Sequence, residues 1–197
     1  MTAMSMTSML AWQADGEVGL EGVRVVRGSS GFRALGRMIR PGSGRGFTAS
    51  YRLVIAEDGG LQRVSVTSAT PEREKHLTIN RTDDGFWLLD TGSGSRRAEF
   101  DGAVDVDLEC SPLFNTLPIR RLGLHREAGD HTLPVVFVSL PDLEVELVEQ
   151  RYCTVSTLDD EGAAVVRYSS RDFTADIVVD GDAIVVSYPG VAHRLRT

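Results

Sequence analysis

Three carboxylates and two arginines form the part of this sequence best suited to chemistry. Asp105, Asp107 and Glu109 alternate with apolar residues. Arg120 and Arg121 follow after a loop that contains two prolines. Alternation with a period of two is typical of a β-strand, so the carboxylates are expected on one wet or polar face. A strand that delivers carboxylates and a loop that returns guanidinium groups can build a polar site or a structural ion-pair cluster.

The first hypothesis for these residues is catalysis. Asp105 and Asp107 lie about 7 Å apart by strand rise, within the range of about 5–9.5 Å that separates the two carboxylates of glycosidases. Either aspartate is then a base, and Arg120 or Arg121 stabilises developing negative charge. The competing hypothesis is structural: one of these arginines faces Asp105 and Asp107 and forms a partly buried ion pair that holds the loop in place. Asp107, if it is the buried partner, then contributes to stability.

Other reaction chemistry has no support in the sequence. The four histidines lack metal-ligating spacing, and the two cysteines form no CxxC pair. The glycine-rich segments 42–46 and 92–97 lack the Gly-Lys-Ser/Thr ending of a phosphate-binding loop. Ser111 is not part of a Gly-x-Ser-x-Gly elbow. We therefore expect no metal, no cofactor and no catalytic nucleophile.

Composition and charge limit the possible partners and location. The 197 residues carry a net charge of −7, which argues against a nucleic-acid partner. No segment approaches the roughly 18 apolar residues of a membrane span, so stable membrane insertion is not expected. Residues 1–10 lack the features of a signal peptide and are interpreted as a flexible leader. The sequence thus predicts a cytoplasmic protein with one domain over 11–197 and leaves its oligomeric state open.

Short runs with strand character recur along the chain, separated by Asp-Gly and Gly-Ser turns. The expected strands are 17–26, 32–39, 47–56, 61–69, 75–81, 85–90, 96–100, 104–110, 119–125, 134–140, 143–152, 163–169, 173–179, 183–188 and 191–196. The segment 115–122 can hold one helical turn, which Pro118 limits in length.

The fold class follows from these strands. Runs such as 135–138 and 183–186 are apolar on both faces, which favours a strongly curved sheet, a barrel or a sandwich. We predict an all-β, mainly antiparallel fold, a single strongly curved sheet or open half-barrel with one or two short helices. A curved sheet around an apolar interior is a common way to hold a lipid-like ligand, although a barrel filled with side chains gives the same pattern.

Four motifs link the chain to a known family. They are Val104-Asp-Val-Asp-Leu108, the segment 111–122 with the sequence SPLFNTLPIRRL, Gln150-Arg-Tyr152 and Tyr188-Pro-Gly190. Weaker agreement extends through Trp12, Gly36, Tyr51, Arg63, Leu77 and Gly85-Phe-Trp87. On these residues the chain resembles the putative glycolipid-binding family of bacteria, formerly a domain of unknown function, over nearly its whole length.

The resemblance implies a curved antiparallel sheet similar to that of bacterial lipoprotein carriers, and it implies no catalytic residues. Together with the residue patterns it favours a non-enzymatic protein that holds a glycolipid or another amphipathic molecule in the concave face of the sheet. The candidate ligand-binding residues are Arg63, Trp87, Asp107, Asn115, Arg120, Arg121, Gln150, Tyr152 and Tyr188. The alternatives are a hydrolase or other enzyme acting on a sugar or lipid, and a purely structural or partner-binding module.

Overall fold

The computed structural model describes residues 6–28, 31–42 and 46–196. It contains one sheet and one helix, α1 (Pro112–Arg121). The strands are β1 (Met6–Ala14), β2 (Leu20–Gly28), β3 (Gly31–Arg40), β4 (Phe47–Ile55), β5 (Leu61–Ala69), β6 (Glu74–Arg81), β7 (Trp87–Asp90), β8 (Ser95–Ala98), β9 (Asp105–Leu108), β10 (Asp130–Val138), β11 (Val145–Ser156), β12 (Ala163–Ser170), β13 (Phe173–Asp180), β14 (Val185–Tyr188) and β15 (Ala192–Arg194). The predicted all-β fold is confirmed.

The sheet is one continuous ribbon with two separate edges. Its strand order is β8-β7-β6-β5-β4-β3-β2-β1-β15-β14-β13-β12-β11-β10-β9. All neighbours are antiparallel except β9 and β10, which run parallel. The Leu61 amide donates to the Val104 carbonyl at 2.8 Å, which brings the start of β5 beside the entry to the edge strand β9. The sheet therefore curves back on itself without closing into a barrel.

Strand alternation decides which residues enter the interior. In β3 every second residue from Phe32 to Arg40 is buried, and those between them are exposed. Helix α1 lies inside the curve with Pro112 to Ile119 all buried. Leu113, Phe114 and Leu117 pack in the larger core cluster with β1–β7 and β9, and Ile119 packs in a second cluster with β11–β14. The concave interior is thus filled by a helix and side chains.

The helix is longer than the sequence predicts. It has ten residues and contains Pro118, which removes one backbone donor but does not end it. Eight of these residues are buried, and this burial stabilises the helix more than the intrinsic helix propensity of the residues does. The strand expected over 119–125 is wrong, because residues 119–121 complete α1 and residues 122–126 form turns.

The N-terminal strand is also absent from the sequence-based prediction. β1 begins at Met6, which pairs with Arg27 of β2. Residues 6–10 are therefore part of the sheet and not of a leader, and the other leader residues, 1–5, lie outside the described residues. The signal is weak because Met6 and Met9 are exposed apolar residues that obscure the alternation. The glycine-rich segment 42–46 lies only partly within the described residues.

Candidate functional site

A cavity of about 330 Å³ opens at the N-terminal end of α1, between β9–β11 and β12–β14. Its polar part includes Asp107 from β9, Asn115 from α1 and Gln150 from β11. Its apolar part consists mainly of aromatic and aliphatic side chains, namely Leu108, Phe137, Val148, Tyr168, Phe173, Tyr188 and Val191. Further polar or charged side chains of its lining are Glu109, Ser111, Ser170 and Arg171.

The polar groups form a directed chain of hydrogen bonds. Asn115 Nδ2 donates to Tyr152 Oη at 3.0 Å, and Tyr152 Oη donates to Gln150 Oε1 at 2.9 Å. Gln150 Nε2 then donates to Asp107 Oδ2 at 2.7 Å. All four side chains are buried. The structure therefore brings together four of the candidate residues, and the donors that support the Asp107 carboxyl along this chain are uncharged.

Burial is the main cause of the shifted pKa values in and beside this row of hydrogen bonds. It raises the pKa of Asp107 to about 6, and the hydrogen bond from Gln150 offsets only part of that shift. Burial also raises the pKa of Tyr152, Tyr168 and Tyr188, so these phenols stay neutral. The Asp107 carboxyl and the neighbouring amide and hydroxyl groups can hydrogen-bond a ligand rich in hydroxyl groups.

Four aromatic rings lie in a row from Tyr152, a member of this hydrogen-bond chain, to the mouth of the cavity. The Tyr152 and Tyr168 ring centroids are 5.2 Å apart, and Tyr188 lies 5.9 Å from Tyr168 in a T-shaped pair. Phe173 lies 6.0 Å from Tyr188 and is 41% exposed. Aromatic faces of this kind stack on sugar rings and on acyl chains. Tyr152 and Tyr188 are sequence-based candidates; Tyr168 is not, although it shares the inward face of β12 with Ala164 and Val166.

The candidate arginines lie at the other end of α1. Arg121 donates to both carboxylate oxygens of Asp105, with Nε to Oδ1 at 3.2 Å and Nη2 to Oδ2. Asp105 is buried, and its pKa is raised by burial against the opposing effect of Arg121. Arg120 is exposed, with its guanidinium 5.9 Å from the Phe32 ring centroid. The structure thus contains the expected ion pair between an arginine and an aspartate, and its aspartate is Asp105 and not Asp107.

Two other candidates lie away from the cavity. Trp87 is a core residue that packs against Phe100 with ring centroids 5.5 Å apart. Arg63 is exposed on β5. Neither lines the cavity. The nine candidates therefore divide into a cavity group, an arginine pair at the end of the helix and two separate residues.

A buried carboxylate that the sequence analysis missed lies beside the cavity. Glu21 of β2 accepts hydrogen bonds from Tyr51 Oη at 2.5 Å and from Ser111 Oγ at 2.6 Å. Ser111 precedes α1 and lines the cavity. Burial raises the pKa of Glu21 to about 7. The available signal was alternation, because Glu21 shares the inward face of β2 with Val23 and Val25.

Gly36 permits the contact between Tyr51 and Glu21. Tyr51 lies on β4 and Glu21 on β2, so the phenol must cross β3. Gly36 of β3 is the register partner of Tyr51, and a β-carbon at Gly36 would overlap the ring. The absence of a side chain at this position thus allows an aromatic ring to lie across the middle strand.

The described part of the chain contains neither a metal-binding cluster nor a membrane-spanning helix. Among residues 6–28, 31–42 and 46–196, no group of three histidine, cysteine, aspartate or glutamate side chains is arranged to bind a metal ion. Within the same residues, no helix combines the length and the apolar composition that a bilayer crossing requires.

The fold and the cavity define a class of protein: an open, curved β-sheet that encloses one helix and keeps a small aromatic pocket at the start of that helix. Residues 9–194 match the family described as "Putative glycolipid-binding", and the chain belongs to this family. The family predicted from the sequence motifs is thus confirmed.

Two solved structures are similar to this chain. A DUF1089 family protein from Pseudomonas aeruginosa has 27% identity and a TM-score of 0.74, with 93% of this chain and 95% of that chain covered. A beta-barrel-like protein of the domain of unknown function DUF1849 from Brucella abortus shares the fold, with a TM-score of 0.55, 10% identity and coverage of 98% and 95%. No protein with a curated description matches the sequence.

Proposed function

We propose that this protein is a non-enzymatic binding protein that holds the polar part of a glycolipid, or of a similar amphipathic molecule, in the cavity at the start of α1. The observation that carries the proposal is the aromatic wall of Tyr168, Phe173 and Tyr188 beside the neutral donors and the titrating carboxyl of the polar part. Aromatic faces bind the C–H faces of sugar rings, and Asp107 and Asn115 offer hydrogen bonds to hydroxyl groups. Membership of the glycolipid-binding family supports the same ligand class.

The size of the cavity limits what it holds. Its volume of about 330 Å³ is near the lower end of the usual range for small-molecule sites, roughly 300–1,000 Å³. Because α1 and its packing partners fill the concave interior, an acyl chain is not expected there. The proposal therefore places a head group in the cavity and the apolar part of the ligand at the mouth, along Phe137 and Phe173.

Native mass spectrometry of freshly purified protein, followed by solvent extraction and lipid analysis, tests the proposal. We expect a co-purifying glycolipid or lipid in the wild type and its loss in Ser170→Trp, which places an indole at the cavity lining. Thr174→Trp is the matched control, because Thr174 is an exposed residue of the same hairpin that does not line the cavity. A wild-type mass without ligand, or equal retention in both variants, would contradict the proposal and favour a structural or partner-binding module.

A second candidate function is hydrolysis of a sugar or lipid, favoured by the raised pKa of Asp107 inside a cavity. Such an enzyme would use Asp107 without the other predicted residues, because Asp105 is paired with Arg121 at the far end of the helix. Incubation of the protein with the extracted ligand separates the two functions. A product formed by the wild type and not by Asp107→Asn, with binding retained, would favour the enzyme.

The cytoplasmic location stays part of the proposal. It is supported by the free state of Cys110 and Cys153. Fractionation of cells that produce the tagged protein, followed by immunoblotting, checks it, and recovery in a secreted or periplasmic fraction would contradict it.

A further inference from the structure

The outward face of β1–β5 carries a cluster of exposed arginines, opposite to the interior that holds α1 and independent of the cavity. We call the surface formed by the outward side chains of these five strands the arginine face. Its arginines are Arg24, Arg33, Arg37, Arg52 and Arg63. Its exposed large apolar residues are Met9, Leu20, Leu35 and Ile39.

Strand register interleaves the two kinds of side chain. Arg24 pairs with Leu35 across β2 and β3, and Leu35 pairs with Arg52 across β3 and β4. In another row, Val54 of β4 lies between Arg33 and Arg63. Neighbouring strands are about 4.8 Å apart, so the guanidinium groups surround aliphatic side chains within one compact surface.

The arginines of this face lack ionic partners. Among the described residues, none of the five makes an ion pair or a side-chain hydrogen bond. Exposed arginines on the other half of the sheet are paired, as Arg151 is with Asp130 and Arg167 with Asp176. Glu21 is the single acidic residue of β1–β5, and it is buried. In a chain with a net charge of −7, the exposed residues of these five strands thus include arginines and no carboxylate, and Glu74 of β6 lies beside their edge.

We propose that the arginine face docks this protein on an anionic lipid bilayer. Arginine binds phosphate in a bidentate manner and is weakly hydrated, so it suits the headgroup region. Exposed aliphatic side chains between the arginines enter the boundary between headgroups and acyl chains. Each arginine near an anionic membrane surface strengthens binding about fivefold.

The side chains between the arginines favour a bilayer over a nucleic acid. Surfaces that bind nucleic-acid strands combine basic residues with aromatic rings for base stacking. On the arginine face the exposed large apolar residues are methionine, leucine and isoleucine, and Tyr51 is directed inward. Aliphatic side chains have no base-stacking role, whereas they partition readily into lipid.

Co-sedimentation with vesicles of phosphatidylcholine, with and without phosphatidylglycerol, tests the proposal. We expect binding to the phosphatidylglycerol vesicles alone and a steep decrease with salt, because salt screens exposed charges. Arg24→Gln/Arg37→Gln/Arg52→Gln should lower the partition coefficient about 100-fold, from about fivefold for each arginine. Arg151→Gln/Arg167→Gln/Arg171→Gln makes the same change of charge at exposed, ion-paired residues and should bind like the wild type.

Several results would overturn the proposal. One is wild-type binding that does not depend on phosphatidylglycerol, and another is an equal loss in both triple variants. A third is salt-sensitive self-association without vesicles that the arginine-face variant removes, which would make this surface an interface between copies of the chain. Thermal unfolding of each variant shows whether it is folded. Because the vesicles contain no glycolipid, failure here leaves the cavity proposal unaffected, and Ser170→Trp should bind vesicles like the wild type.

Discussion

The two ends of helix α1 accommodate buried carboxylates in different ways. At the C-terminal end, Asp105 is paired with the guanidinium of Arg121. At the N-terminal end, Asp107 accepts from the Gln150 amide, and Glu21 accepts from the hydroxyl groups of Tyr51 and Ser111. Asp105 and Asp107 are two residues apart on the same strand face, so this difference arises from the helix and strands opposite them.

The hydrogen-bonding partners of the buried carboxyl groups determine whether each end of α1 is suited to a structural contact or to ligand binding. Burial raises the pKa of all three carboxyl groups, but only Asp105 has a cation in direct contact. The pKa is about 7 for Glu21 and about 6 for Asp107, so at neutral pH Glu21 is partly protonated and Asp107 is mostly ionised. A charged pair stabilises a fixed contact, whereas a buried carboxyl supported by uncharged donors beside a cavity can exchange hydrogen bonds with a ligand.

The largest effect is expected from breaking the pair at the C-terminal end. Asp105→Asn leaves the Arg121 guanidinium mostly buried without its counterion, which should lower the free energy of unfolding by about 3–5 kcal/mol. Asp130→Asn is the control, because the Asp130–Arg151 pair is exposed to solvent and contributes little to stability. Urea unfolding measures both, and equal losses would show that Asp105 and Arg121 do not hold this end of the helix.

The next largest effect is the pH dependence of stability caused by Glu21 at the N-terminal end of α1. The pKa of Glu21 is about 7 in the folded protein and near 4.5 in the unfolded chain, so the folded state binds the proton more tightly. This contribution to stability is fully present below pH 4.5 and is lost as the pH rises to about 7, a decrease of about 3 kcal/mol.

Glu21→Gln removes this titration and keeps a side-chain oxygen that accepts hydrogen bonds from Tyr51 and Ser111. Urea unfolding between pH 4 and 8 should therefore show a weaker decrease in stability for the variant than for the wild type. Glu149→Gln, at an exposed position of β11, is the control and should follow the wild type. Identical pH profiles for Glu21→Gln and the wild type would contradict the raised pKa of Glu21.

Gly36→Ala tests the packing at the N-terminal end of α1 without changing a charged group. Gly36→Ala places a β-carbon against the Tyr51 ring and displaces the phenol from Glu21. We expect a loss of about 1–3 kcal/mol, typical of overpacking. Gly22→Ala on the neighbouring strand meets open space and should change stability little. Similar thermal unfolding of the two variants would mean that the position of the Tyr51 ring does not require a glycine at position 36 of β3.

The sequence predicts the fold better than it predicts the site. Alternation and turn residues identify most strands, because burial on one face of a strand leaves a local pattern. They indicate only one turn of α1, because the full length of this helix depends on burial among distant strands and not on its own propensity. The different environments of Asp105 and Asp107 are equally invisible, because Arg121 and Gln150 reach them only through tertiary packing.

The smallest effect is expected at Arg120, the neighbour of the structural arginine. Arg120 is exposed, and its only described ring contact, with Phe32 at 5.9 Å, contributes about 0.5 kcal/mol. Arg120→Gln should therefore change the free energy of unfolding by less than about 1 kcal/mol, whereas Arg121→Gln leaves Asp105 buried without its partner and costs several times more. Arg120→Gln should also retain any co-purifying ligand, because Arg120 lies about one and a half helical turns from Asn115 and does not line the cavity. Loss of ligand in Arg120→Gln, with stability intact, would move the binding site from the N-terminal to the C-terminal end of the helix.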